Sequence, residues 1–166
     1  MLRLNVRNKW LSLRGGSYVT DKDENNYLYV KGKFWTVTHK KFVQDLDGNL
    51  LYMVRNKFWK FITYYAMIFD KEGKEIARLR KKVFTLHDHF DVGNTPYGPM
   101  VIRGNILGYD YHVYLNDQEI GHIGRHISLR DSFFIDIDET KIDPAFMVAL
   151  VIAVDNITDE RSEQSY

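Results

Sequence analysis

The sequence predicts a mainly β protein: a closed barrel of about twelve antiparallel strands enclosing its own hydrophobic C-terminal helix. Two observations lead there. A short basic-hydrophobic motif recurs along most of the chain, and after its last copy the pattern changes to an uninterrupted apolar run from Ala145 to Val154.

The motif is an apolar residue, a base, a variable residue, usually a second base or Asn, then two mostly apolar residues. Its copies are Val6-Arg7-Asn8-Lys9-Trp10-Leu11, Val30-Lys31-Gly32-Lys33-Phe34-Trp35, Val54-Arg55-Asn56-Lys57-Phe58-Trp59, Leu79-Arg80-Lys81-Lys82-Val83-Phe84, Ile102-Arg103-Gly104-Asn105-Ile106-Leu107 and, more weakly, Ile123-Gly124-Arg125-His126-Ile127-Ser128. Successive copies lie 24, 24, 25, 23 and 21 residues apart. That period fits two strands and two connections but not a strand plus a long helix, so each period reads as a hairpin and six periods give about twelve strands.

Turn chemistry agrees. Asp21-Lys22-Asp23-Glu24-Asn25, Asp45-Leu46-Asp47-Gly48-Asn49, Asp70-Lys71-Glu72-Gly73-Lys74 and Asn116-Asp117 supply residues that tolerate or favour tight turns. The segments between them are rich in β-branched and aromatic residues. The stretch from Asp88 to Pro99 is the least regular, because Gly93-Asn94-Thr95-Pro96 and Tyr97-Gly98-Pro99 break the pattern. It is expected to form a longer loop and a candidate mobile element. A sheet of this many strands would expose its edges, and closure removes them; a two-sheet sandwich is the alternative.

Asp143 and Pro144 open the helix as a capping residue and a proline suited to the first turn. The run that follows is apolar on every side and must be surrounded, yet it is well short of the roughly 18 to 20 residues that cross a bilayer. A core helix over about 143–157 follows. The domain is expected to span 1–158, with 159–166 a polar, disordered tail.

Composition bounds the function. A net charge of +1 creates no global field for nucleic acid, and the absence of cysteine removes disulfides, thiolate metal sites and thiol nucleophiles, as expected of a reducing compartment. The alternating Met1-Leu2-Arg3-Leu4-Asn5-Val6 reads as a strand rather than a signal peptide. The expected location is cytoplasmic, with the membrane surface as a candidate peripheral site and no transmembrane segment.

A basic-hydrophobic hairpin repeat closed by one apolar helix resembles the LURP-one-related family, which includes small bacterial proteins of about this length. The likeness rests on the repeated Lys-x-Lys-aromatic strands, on Ile106-Leu107-Gly108-Tyr109-Asp110-Tyr111 and on Ala149-Leu150-Val151-Ile152-Ala153-Val154-Asp155. That family is similar in fold to the tubby C-terminal domain and to phospholipid scramblases, a twelve-stranded barrel around a central helix. The resemblance implies a filled barrel, a protein that need not be an enzyme, and a link to phosphoinositide binding and intracellular regulation through the tubby relatives. It transfers no lipid-binding residue to a numbered position here.

Within the motif, Lys31 and Lys33, Arg55 and Lys57, and Arg80 and Lys82 are each two apart and share a strand face, with Trp35 and Trp59 on that face by strict alternation. Bases beside aromatics suit anionic phospholipid headgroups or a protein partner. The plainer reading is that these charges keep a closed sheet soluble, or that a bulge at Gly32 or Asn56 turns the aromatics inward. His87 and His89 flank Asp88 and are weak metal candidates, while His122 and His126 lie on another strand without a recognised ligand set. No nucleophile elbow, phosphate loop or complete calcium loop is present, so no catalytic residue and no cofactor is expected. The leading expectation is a non-enzymatic scaffold or regulator. The alternative is small-ligand binding or hydrolysis at a surface site near the 88–99 segment.

Overall fold

A computed structural model describes residues 1–6, 16–32, 40–57, 65–82, 86–105, 110–125 and 132–163, with Lys57 and 159–163 described by their backbone alone. Twelve strands run in chain order: β1 (Leu2–Val6), β2 (Gly16–Asp21), β3 (Asn26–Gly32), β4 (Lys41–Gln44), β5 (Leu50–Lys57), β6 (Tyr65–Asp70), β7 (Glu75–Lys81), β8 (Asp88–Gly93), β9 (Met100–Asn105), β10 (Asp110–Leu115), β11 (Gln118–Arg125) and β12 (Phe133–Ile137). Each pairs antiparallel with its chain neighbours, and β1 pairs with β12 to close the barrel. The expected closed barrel of twelve strands is the observed fold. Each motif copy marks the end of an odd-numbered strand.

The turns that lead into β3, β5 and β7 share one chemistry. Asp21, Asp45 and Asp70 each place Oδ1 where it accepts backbone N–H bonds from the residues two and four positions on, at 2.8–3.1 Å. The fourth residue of each turn has positive φ: Glu24 at 65°, Gly48 at 87° and Gly73 at 83°. Glycine at the last two relieves a conformation that a side chain disfavours.

A one-residue bulge recurs near these turns. Tyr27, Leu51, Ile76 and Ile120 are each skipped in the pairing of their strand with the one before it. A bulge moves the register by one and so selects which residues face out. These positions lie away from the paired bases, so the bulge considered at Gly32 or Asn56 is replaced by one at the other end of β3 and β5.

The segment expected as a loop from Asp88 to Pro99 is instead strand β8 followed by a turn over 94–99. Phe90 and Val92 alternate inward with polar neighbours and are buried, which is enough to form a strand; only Gly93 onward carries turn chemistry. Tyr97 in that turn packs on Phe146 at 5.2 Å, and its hydroxyl accepts the Asp143 N–H at 3.2 Å.

The helix α1 (Pro144–Glu163) enters the barrel at this turn-bearing end. Asp143 caps it, with Oδ1 accepting the Ala145 N–H at 3.2 Å and Oδ2 accepting the Tyr52 hydroxyl at 2.7 Å. Every residue from Ala145 to Val154, and Ile157, is at most 5% exposed. Each large side chain so buried contributes roughly 1.5–3 kcal/mol. The helix packs most closely on β5 and β6 and ends six residues beyond position 157. Once its apolar turns are fixed, adding residues such as Glu160 and Arg161 costs little, because propagation is easier than nucleation.

Candidate functional site

The outer wall divides into two regions of different chemistry. Over β3 to β7, inward positions such as Val30, Val54 and Leu79 are buried, which places Lys31, Arg55 and Arg80 outward by alternation. Pairing register sets three rows: Lys31–Phe42–Met53–Phe69, Arg55–Met67–Arg78 and Lys57–Tyr65–Arg80. The bases therefore do not form the continuous belt that neighbouring motif strands would give. An even-numbered strand separates each pair of motif strands, spacing them about 9–10 Å apart, and contributes an apolar or aromatic residue between them.

Arg55 is the most informative of these bases. Its guanidinium carbon stands 5.5 Å from the Phe69 ring centre, and its Nε is buried with no hydrogen-bond partner among the described residues. Lys31 and Arg80 are exposed and have no carboxylate partner among the described residues. Arg78 is tied to Glu75 at 2.8 Å and Lys82 reaches Asp91 at 3.4 Å, so Lys82 belongs to a neutralised pair. Lys33, Trp35 and Trp59 lie outside the described residues, and Lys57 is placed by its backbone opposite Tyr65.

From β8 round to β1 the wall is built from histidines and carboxylates. One row runs His89–Arg103–His112–His122–Asp136–Arg3 across six strands. Its members are mostly engaged: Arg3 grips Asp136 through two bonds of 2.6 Å, His89 Nε2 meets Asp91 at 3.0 Å, and His112 Nδ1 meets Glu119 at 2.9 Å. Here lies a cleft of about 540 Å³ lined by Leu86, His87, Asp88, His89, Arg103–Asn105, Asp110 and His112.

The two sequence-expected histidines line this cleft, but the group able to hold a metal among the described residues is Asp110, His112 and His122. It includes neither His87 nor His89. Asp88 is turned to the interior, where it pairs with the buried Lys81 Nζ and accepts the Tyr111 hydroxyl at 3.2 Å. Gly104 makes room there, since a Cβ at that position would stand 2.6 Å from the Tyr111 ring.

His112 and Asp110 were not legible as partners of His122. A plain two-residue hairpin at Asn116-Asp117 would pair His112 with Gly121 and leave His122 facing inward. The bulge at Ile120 changes that register and brings both imidazoles to one face.

These observations define a class: a closed antiparallel barrel filled by an apolar helix, with its chemistry on the outer wall. A family model described as LURP-one-related matches residues 2–155, and the chain belongs to that family. A crystal structure of a protein from Arabidopsis thaliana has the same fold, with a TM-score of 0.67 at 16% identity over 95% of this chain and 91% of that one. No curated protein matches the sequence. No helix among the described residues is long and apolar enough to cross a membrane, which says nothing about strands.

Proposed function

We propose that the protein is a non-enzymatic regulator or scaffold of the cytoplasm whose β3–β7 wall docks on anionic phospholipid headgroups. The observation that carries this reading is the Arg55 guanidinium set beside Phe69 on the same wall as the exposed Lys31 and Arg80. A guanidinium pairs with phosphate oxygens through charge-assisted hydrogen bonds, and an aromatic neighbour suits it to a headgroup layer. Lys31 and Arg80 flank it as further cations, and Phe42, Met53, Tyr65 and Phe69 supply the apolar surface that enters a headgroup layer. Juxtamembrane bases are worth about 1 kcal/mol each against anionic lipid.

Sedimentation with phosphatidylserine-containing and purely phosphatidylcholine vesicles tests the reading. Binding is expected to the anionic vesicles only, and a Lys31→Ser, Arg55→Ser, Arg80→Ser variant should lose about two orders of magnitude in affinity at about 1 kcal/mol per base. Equal failure to bind either vesicle would overturn the lipid reading and leave this face to a protein partner. The cleft beside His89 supports a second reading, a small-ligand site, through its concavity and the polar Asp110 and His112 that line it.

A further inference from the structure

We infer that Asp110, His112 and His122 form a site for a divalent transition-metal ion of the zinc class on the outer face of the β10–β11 hairpin. In the ring of twelve strands, β11 stands opposite β5, so the site is separate from the basic wall and independent of its lipid reading.

Three features argue for it. The first is convergence. The Nε2 atoms of both histidines face one carboxylate oxygen, Asp110 Oδ1, at 2.8 Å from His122 and 3.7 Å from His112, and all three ligand atoms lie within 4.8 Å of one another. Bonds of about 2.0–2.1 Å at a tetrahedral centre place neighbouring ligand atoms about 3.3 Å apart, between the two observed distances. Small side-chain rotations close the set.

The second is the outer shell. His112 presents Nε2 to the site while Nδ1 meets Glu119 Oε1 at 2.9 Å. A carboxylate behind the far nitrogen fixes the tautomer that leaves Nε2 free to bind a metal and raises its basicity. This bond exists because Glu119 pairs with Tyr114 just before the bulge, and His122 with His112 just after it. Glu119 holds the register of a plain hairpin, and the bulge beyond it adds the second histidine to the same face.

The third is rigidity. The two imidazoles stack 4.5 Å apart at an interplanar angle of 11°, so their nitrogens are held side by side. Phe134 meets the His122 ring edge-on at 5.5 Å, and Gly124 leaves room for Phe134, since a Cβ there would lie 2.4 Å from it. The neighbouring cations are directed elsewhere: Arg103 lies 5.5 Å over the Tyr114 ring, and Arg3 is held by Asp136.

Two imidazoles and one carboxylate favour zinc, nickel, cobalt or copper over calcium or magnesium, which prefer oxygen. Three protein ligands leave a coordination position open, and Asp110 and His112 both line the cleft, so that position faces it.

The test is calorimetric titration of tag-free full-length protein with Zn²⁺, together with the visible spectrum on adding Co²⁺. One saturable site per chain is expected, with tetrahedral cobalt absorption. His122→Ala should remove it, Glu119→Ala should weaken it about 10- to 100-fold, and His89→Ala should leave it unchanged. Should a variant fail to fold, Zn²⁺ added to the intact protein must shift the imidazole nitrogen resonances of His112 and His122 and not those of His89. No saturable binding, or binding that survives loss of His122 and disappears with His89, would overturn the assignment.

Discussion

The β3–β7 wall and the β8–β1 wall are made from the same hairpin unit and face the same kind of interior, yet their outer surfaces are opposites. On the first, among the described residues, Lys31 and Arg80 stand without a carboxylate and the buried Arg55 Nε without an acceptor. On the second, Arg3 is bound to Asp136, His89 to Asp91 and His112 to Glu119. The inner face is constrained by a helix that must be covered on all sides, whereas the outer face is constrained only by solubility. Function has room to diverge there.

The seam between the walls offers the sharpest way to break the comparison. Lys81 on β7 and Asp88 on β8 are 5% and 13% exposed and pair inside the barrel. Asp88→Ala leaves a buried ammonium without that partner and should cost about 3–5 kcal/mol, measured as a lower denaturant midpoint. A change comparable to that of an exposed ion pair, below about 1 kcal/mol, would show that the seam is open to water and that the two walls are not fastened there.

A smaller effect concerns the Asp-led turns that open the strands of the β3–β7 wall. Hydrogen bonds from Asn25 and from Asn49 hold the carboxyls of Asp21 and Asp45 below their ordinary value of 3.8. A depressed folded-state pKa contributes stability that is present at neutral pH and lost as pH falls through it. Acid unfolding should therefore steepen below about pH 4, and Asp45→Asn, which keeps an acceptor but not the charge, should flatten that limb. Unchanged acid dependence in Asp45→Asn would remove these turns from the account of stability.

Much of the frame was legible because it is periodic. Motif spacing gave the hairpins, Asp-led turns gave their closed ends, and the unbroken run from Ala145 to Val154 could only be an interior helix. Strand β8 was hidden because Asp88, His89 and Asp91 are interspersed with Phe90 and Val92, a polar composition that resembles a loop until its partners are known. Lys31, Arg55 and Arg80 lie on the outward side as alternation required, but their separation depended on the intervening strands. The Asp110, His112 and His122 group was illegible for a different reason. It depends on one skipped residue, Ile120, and a register change of one residue turns every side chain beyond it to the other face.

The central claim is that the outer wall is divided, with β3–β7 the face that meets anionic headgroups. Backbone amide NMR of the intact protein titrated with phosphatidylserine-containing nanodiscs tests it most directly. Perturbations are expected at Lys31, Phe42, Met53, Arg55, Phe69 and Arg80, and not at Arg103, His122 or Asp136. Perturbations centred on β10–β12, or spread evenly round the barrel, would contradict the account.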